Sequence, residues 1–294
     1  EHARDLTKQR KYDAAVKIQE EIVDEFGKSN KELASKALYN VAVIHEAARR
    51  FPEAVAAYEE VIKRYTKTDV AVESQFAIGS LYESQTEFEK AAEAFIKVQK
   101  FKTHKDAPDS IRNAGLIYEA LEKYRDAFDT FNLYLKLFKS AEDASVVAFH
   151  SGEVLEKEAL TAIGVPSLPT TDGRNSCSQM ETGAAECSKA FNDAAKVYEK
   201  VKKKYGKKDL QYQLRATVAA GVAYKRADKV KNRKKTTKLL KAAAKIWAKL
   251  QPPEPKEGAK PKKKRKAKKP AEPVAIEDST KVYAALGALE LAEY

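Results

Sequence analysis

The chain has 294 residues, of which 43% are hydrophobic and 33% charged, with only 11 glycines and 10 prolines. This composition is typical of a mostly helical protein. No apolar run reaches the roughly 18 residues that a membrane-spanning helix needs, so we expect no transmembrane segment. The net charge of +12 is uneven, because residues 189–269 carry 29 basic and 6 acidic side chains. Such asymmetry indicates an anionic partner without identifying it.

A motif of small and aromatic residues recurs in the first half of the chain. Alanine recurs at intervals of 39, 37 and 36 residues, at Ala15, Ala54, Ala91 and Ala127. An aromatic residue stands three positions before each alanine, and in three of the four cases another follows by four positions: Tyr58, Phe95 and Phe131. A second small residue recurs between these motifs, at Ala42, Gly79 and Gly115. Apolar steps of three and four residues predict paired amphipathic helices.

This pattern resembles the tetratricopeptide repeat (TPR) family, in which two helices, A and B, form each repeat. The resemblance implies an all-α fold, a right-handed superhelical solenoid of helix-turn-helix repeats. The family's tryptophan near the start of helix A is absent, as is the proline that closes each unit. Because this fold hosts many functions, the resemblance predicts architecture better than activity.

The predicted elements follow this register along the chain. Residues 1–160 are expected to hold a half repeat, three full repeats and helix A of a fifth. Residues 161–188, rich in Gly, Ser, Thr and Pro, read as an irregular loop insertion in the fifth unit. A basic continuation of the array follows at 189–251, then a Pro/Lys-rich linker at 252–274. Residues 275–294 resume a helix that begins a further repeat.

Both cysteines, Cys177 and Cys187, belong to the insertion region. One interpretation is a disulfide, which would place the protein in an oxidising compartment. The other is a pair of free thiols. A zinc site is disfavoured, because two cysteines without a nearby histidine leave the tetrahedral ligand set incomplete.

The resemblance also implies that helix A residues line a concave groove that binds a partner. Four glutamates recur in it at intervals of 37, 36 and 37 residues, at Glu46, Glu83, Glu119 and Glu156. In the sixth unit, Lys225 and Arg226 reverse the charge. The remaining candidate groove residues are Tyr39, Phe76 and Arg112. The alternative is that the glutamates are ordinary solvated side chains.

The linker contains a strongly basic run, with the sequence Lys262, Lys263, Lys264, Arg265 and Lys266. It is similar to a nuclear import signal and could equally bind phosphate groups of an anionic polymer. The alternative is a solvated, extended connector. Aromatic residues of the basic region mostly occupy core register, so we expect no base-stacking platform.

The sequence shows no phosphate-binding glycine loop, metal-binding histidine pair or nucleophile motif. We therefore expect no cofactor, no small-molecule substrate and no enzymatic activity. The predicted function is a scaffold that binds a protein partner through its groove or insertion, within a multi-protein assembly. The competing hypothesis is a nucleic-acid- or polyanion-associated protein that uses residues 189–269. The chain also resembles bacterial cell-envelope members of the family, which favours a periplasmic location over a nuclear or cytoplasmic one.

Overall fold

The computed structural model describes residues 1–162, 177, 183–207, 209–251 and 277–292. All regular structure in these ranges is helical: thirteen α-helices and one short 3₁₀ helix. The α-helices are α1 (His2–Lys8), α2 (Tyr12–Phe26), α3 (Lys31–Ala47), α4 (Phe51–Arg64), α5 (Asp69–Ser84), α6 (Phe88–Lys97), α7 (Ala107–Ala120), α8 (Tyr124–Leu137), α9 (Ala144–Ala162), α10 (Ala184–Lys204), α11 (Leu210–Ala227), α12 (Arg233–Leu250) and α13 (Asp278–Ala292). The 3₁₀ helix, Val98–Phe101, continues α6. The all-α solenoid fold predicted from the sequence is confirmed.

Local sequence explains where several helices begin. The side chain of Asn30 accepts a hydrogen bond from the Leu33 amide at 3.0 Å and caps α3. Asp209 caps α11 through the amides of Gln211 and Tyr212. Such caps satisfy amide groups that lack a partner within the helix. Pro52 sits in the first turn of α4, where its missing N–H removes no helical bond.

The turn between helix A and helix B repeats with the same backbone geometry in the first four hairpins. One residue in each turn has a positive φ near 60°: Arg10, Arg49, Thr86 and Glu122. The next amide donates to the carbonyl five residues earlier, as Glu87 does to Tyr82 at 2.9 Å. This is the Schellman arrangement, which satisfies the last carbonyls of a helix. The recurring turn fixes the angle at which each helix B returns along its helix A.

A small residue of helix A lies against an aromatic ring of helix B in successive hairpins. A Cβ built on Gly79 would come within 2.5 Å of the Phe95 ring. A Cβ built on Gly115 would lie 2.5 Å from the Phe131 ring, and one built on Gly152 would lie 2.5 Å from the Tyr198 ring. The two helices therefore approach each other closely in the third, fourth and fifth hairpins, the last of which contains the insertion.

The chain divides into two compact units, residues 1–141 (unit 1) and 142–294 (unit 2). In unit 1 the buried aromatic rings include Tyr58 and Phe95, which are 1% exposed. Unit 2 is organised around α11, whose buried residues lie on all sides of the helix. A helix that is apolar all round must be covered all round, and here α10, α12 and α13 cover it.

The structure bears on the expected segment boundaries. Helix α9, grouped above with the N-terminal array, packs against α10 and belongs to unit 2. Of the insertion, the structure describes residues 161, 162, 177 and 183–188. The linker at 252–274, including the run from Lys262 to Lys266, lies outside the described residues. The C-terminal helix forms, but Gly287 lies against Val218 of α11 rather than against a helix B aromatic ring.

Candidate functional site

A series of open cavities lies between consecutive A helices of unit 1. We call this series the unit 1 groove. The cavities lie between α1 and α3 (about 420 Å³), between α3 and α5 (about 550 Å³) and between α5 and α7 (about 490 Å³). Their linings differ in polarity. The groove therefore offers a partner a succession of chemically distinct subsites along the helix A face.

The cavity between α3 and α5 is polar. It is lined by Tyr39, which the sequence placed in the groove, and by charged residues of both signs, including Lys36 and Glu73. The Tyr39 ring lies 5.1 Å from the Tyr58 ring, centroid to centroid. Burial raises the pKa of the Tyr39 hydroxyl. A neutral hydroxyl beside charges of both signs can form hydrogen bonds to a peptide. Such a cavity does not select a peptide by the sign of its net charge.

The space between α5 and α7 is an apolar cleft. Leu116, 44% exposed, and Phe88, 41% exposed, line it together with Ile117 and Leu121. The exposed carboxylate of Glu83 stands at its edge. This cleft can take an apolar side chain of a partner while Glu83 attracts a neighbouring cation. Water-excluding apolar contacts rimmed by charge are characteristic of protein-binding sites.

The recurring glutamates of the predicted groove are not equivalent in unit 1. Burial, and a hydrogen bond to the carboxylate of Glu46, raise the pKa of Tyr58, so Glu46 is engaged with its own hairpin. Glu83 is exposed, and Glu119 is half-buried. Of the three, Glu83 is the one that the structure places at the mouth of the apolar cleft.

The other candidate groove residues of unit 1 are only partly available. Phe76 is 37% exposed, and its ring centroid lies 5.3 Å from that of Phe95 in the core. Arg112 Nη2 donates to Asp109 Oδ1 at 2.7 Å on the same helix. Phe76 thus keeps an accessible edge, whereas the Arg112 guanidinium already has a carboxylate partner.

In unit 2 the predicted groove residues meet the C-terminal helix. Lys225, expected to face the groove, is instead buried, and its Nζ forms an ion pair with Glu290 of α13. Arg226 Nη1 lies 3.7 Å from Glu156 Oε2, which joins α11 to α9. The two cations that reverse the charge of the predicted groove therefore pair with glutamates of unit 2 itself. Lys225 is buried because α13 covers this part of α11.

Four apolar residues of the cleft were not singled out from the sequence as site residues: Phe88, Leu116, Ile117 and Leu121. A signal existed for Leu116, because it follows Gly115 directly, as Val43 follows Ala42, and both are exposed. An apolar residue that recurs at an exposed register position indicates a contact surface. Phe88 was assigned to the repeat motif, and its exposed edge could not be read from spacing.

Two further observations concern the described residues as a whole. None of their helices has the length and hydropathy required to span a bilayer. Nor do they contain a group of three or more His, Cys, Asp or Glu side chains arranged to hold a metal ion.

Comparison with known families decides the nature of the repeats. The family model described as tetratricopeptide repeat matches residues 1–69 and 47–101. Residues 1–101 are therefore similar to the tetratricopeptide repeat family. The TPR register continues beyond the matched residues, because Gly115 and Gly152 repeat the contact that Gly79 makes with a helix B ring. A comparison with curated proteins finds no match to this chain.

Solved structures similar to this chain include other repeat proteins. One is described as a putative kinesin light chain with nearly identical TPR-like repeats from Podosopora anserina; it has 14% identity and a TM-score of 0.39, covering 74% of this chain and 96% of its own. A TPR protein from Parabacteroides merdae has 15% identity and a TM-score of 0.35, covering 98% and 96%. The C-terminal part of a TPR protein from Cytophaga hutchinsonii has 14% identity and a TM-score of 0.34, covering 83% and 94%.

Proposed function

We propose that this chain is a non-enzymatic scaffold that binds a segment of a partner protein in the unit 1 groove. The observation that carries the proposal is the apolar cleft between α5 and α7, where Leu116 and Phe88 are exposed beside the carboxylate of Glu83. Rigid helix pairs hold this surface in place before binding. Little conformational entropy is then lost on the scaffold side when the partner docks.

The cleft supports a particular kind of partner segment. An apolar side chain of leucine or phenylalanine size would fill the space beside Leu116, and a Lys or Arg next to it would pair with Glu83. The mixed charges of the neighbouring α3–α5 cavity supply hydrogen bonds to the same segment. Apolar anchors contribute most of the affinity at such surfaces, and rim charges contribute mainly selectivity.

Peptide display against the full chain tests this proposal. We expect enriched peptides to pair an apolar residue with a Lys or Arg, and to bind Leu116→Ser at least tenfold more weakly. The matched control is Leu33→Ser, because Leu33 is 39% exposed and Leu116 44%. The proposal fails if no peptide is enriched, or if enriched peptides bind both variants equally well while both keep wild-type helicity.

An oxidising compartment, such as a bacterial periplasm, fits the cysteine pair. Cys177 and Cys187 form a disulfide bond, with their Sγ atoms 2.07 Å apart, and both residues are fully buried. Disulfides persist in secreted and periplasmic proteins and are rare where thiols are kept reduced. Mass mapping without reductant, on protein isolated from its native source, tests the location. Recovery of a linked Cys177–Cys187 peptide is expected, and two free thiols would contradict the assignment.

A further inference from the structure

Helix α12 presents an unbroken stripe of lysines to solvent. The 18 residues of α12 contain seven cationic side chains and no Asp or Glu. Successive spacings of four, three, four and four residues place five exposed lysines along one side of the helix: Lys234, Lys238, Lys241, Lys245 and Lys249. The opposite side carries Leu239, Leu240 and Ala243, which are buried. The stripe therefore points directly away from the core of unit 2.

Helix α10 carries a second stripe of the same kind. Its exposed lysines at matching spacings are Lys189, Lys196, Lys200 and Lys203. The opposite side holds Phe191, Ala194 and Tyr198, which are buried. The two helices lie close to each other, because Lys235 Nζ of α12 is 3.3 Å from Glu199 Oε2 of α10. We call the nine lysines of these two stripes the lysine face.

Most of the lysine face is not neutralised by the protein itself. Lys196 pairs with Asp193 at 3.0 Å. Within the described part of the chain, the other eight lysines have no ion pair. Some cations of unit 1, by contrast, have a carboxylate one helical turn away, as Lys36 has Glu32 and Arg64 has Glu60. Like charges four residues apart destabilise a helix, so α12 bears a repulsion that a bound anion would relieve.

The surroundings of the lysines indicate which anion fits. The exposed large hydrophobic residues of the described part of unit 2 are Val146, Leu210, Val230, Val282 and Leu289, and none of them lies on α10 or α12. A protein partner would need apolar anchors, and a helix embedded in a lipid surface needs an exposed apolar side. Single-stranded nucleic acid binds through exposed aromatic rings. A duplex phosphate backbone requires only fixed cations.

We propose that the lysine face binds the phosphate backbone of double-stranded nucleic acid without reading its sequence. From Lys234 to Lys249 the stripe extends about 22 Å along the helix axis. A duplex carries one charge per roughly 1.7 Å of its axis, so a segment of this length offers more phosphates than the stripe has lysines. This activity is separate from the unit 1 groove and requires nothing of it.

Fluorescence anisotropy with the full chain and labelled duplexes of two unrelated sequences, each about 20 base pairs, tests the proposal. The test variant is Lys234→Gln, Lys238→Gln, Lys241→Gln and Lys245→Gln combined. The control changes four exposed lysines of unit 1 in the same way: Lys17, Lys31, Lys97 and Lys105. Both variants lose four positive charges, so net charge alone cannot separate them.

We expect wild type to bind both duplexes equally, with an affinity that falls steeply as salt rises. The stripe variant should bind at least tenfold more weakly at low salt. Its plot of log affinity against log salt concentration should be shallower by roughly 3.6, which is 0.9 per lost phosphate contact. The unit 1 control should keep nearly the wild-type affinity and slope. Equal losses in the two variants would overturn the proposal.

Two further arms exclude other sources of binding. A variant with Lys262, Lys263, Lys264, Arg265 and Lys266 all changed to Gln removes the basic run. If that variant abolishes duplex binding and the stripe variant does not, the lysine face is not the site. Vesicles containing about one third phosphatidylserine provide the second arm. Retention on vesicles without measurable duplex binding would assign the face to membranes and overturn the proposal.

Discussion

Lys225 of α11 and Glu290 of α13 form an ion pair whose side chains are only 5% and 6% exposed. The two residues are 65 positions apart in the chain. Towards the start of α13, Arg215 Nη1 lies 3.4 Å from Glu277 Oε2, and the Tyr283 ring lies 5.7 Å from the Phe149 ring. These contacts make α13 an integral part of unit 2 and close off the surface of α11 that would otherwise be a groove.

Removing one partner of this pair should destabilise unit 2 strongly. Glu290→Gln leaves the buried ammonium of Lys225 without its carboxylate, which costs about 3–5 kcal/mol. The double variant Lys225→Met with Glu290→Leu removes both charges and should recover most of that loss. Urea unfolding followed by circular dichroism measures both effects.

The control for this prediction is Asp278→Asn, which breaks the pair between Asp278 and Lys281 on the same helix. Those side chains are 95% and 57% exposed, so the urea midpoint should fall far less than in Glu290→Gln. A Glu290→Gln midpoint no lower than that of the control would show that the buried pair contributes nothing to stability.

The repeated turn predicts a stabilising substitution at Thr86. Its φ of 61° is unfavourable for a β-branched residue, whereas glycine adopts it without a steric penalty. Thr86→Gly should therefore raise the free energy of unfolding by about 1 kcal/mol. Thermal and urea unfolding should both report the increase.

The matched control for the turn is Thr68→Gly, because Thr68 has a φ of −98° and an extended backbone. Glycine gains nothing there and increases the freedom of the unfolded chain, so this variant should be less stable than wild type. If both variants shift the free energy of unfolding in the same direction, relief of backbone strain at Thr86 does not explain the effect of Thr86→Gly.

The contact between Gly79 and Phe95 predicts the opposite effect in a hairpin core. A Cβ at position 79 would lie 2.5 Å from the Phe95 ring, so Gly79→Ala forces α5 and α6 apart and should cost about 1–3 kcal/mol. Adding Phe95→Leu makes room for the new methyl group and should recover part of the loss. Additive losses in the double variant, measured by urea unfolding, would contradict this interpretation of the contact.

The sequence predicts the hairpins better than it predicts the site, and the reason is the range of the interactions. Gly79 and Phe95 are 16 positions apart within one repeat, so their spacing recurs and can be recognised. Lys225 was assigned to an open groove from the same register. Its burial depends on Glu290, which lies beyond a segment with no periodicity, and local spacing carries no information about that contact.

The apolar cleft illustrates a second limit. Leu116 and Phe88 belong to different hairpins, and each occupies an ordinary position in its own repeat. Their proximity arises from stacking one hairpin on the next. Recurrence alone could indicate that Val43 and Leu116 share a register position. It could not indicate that Leu116 lies near Phe88 and Leu121, or that Glu83 lies at the edge of the cleft that they line.

The carboxyl group of Glu156 predicts a pH dependence of the stability of unit 2. Burial raises its pKa to about 7 from an ordinary value of 4.5, although Arg226 opposes the shift; Glu153 adds to it. Between pH 4.5 and 7 the folded chain holds a proton that the unfolded chain has released. The free energy of unfolding attributable to Glu156 therefore falls as pH rises through this window, by about 3 kcal/mol at most.

Glu156→Gln tests this dependence, because glutamine is neutral at every pH and has nearly the same shape. The variant should match wild type near pH 5 and exceed it in stability near pH 8, as measured by urea unfolding across the range. Arg226→Gln removes the cation that lowers the folded-state pKa, so in that variant the fall in stability should extend to higher pH and become larger. If the difference between wild type and Glu156→Gln does not change with pH, the buried carboxyl does not titrate in this window. The ion pair with Arg226 would then hold Glu156 in its charged form.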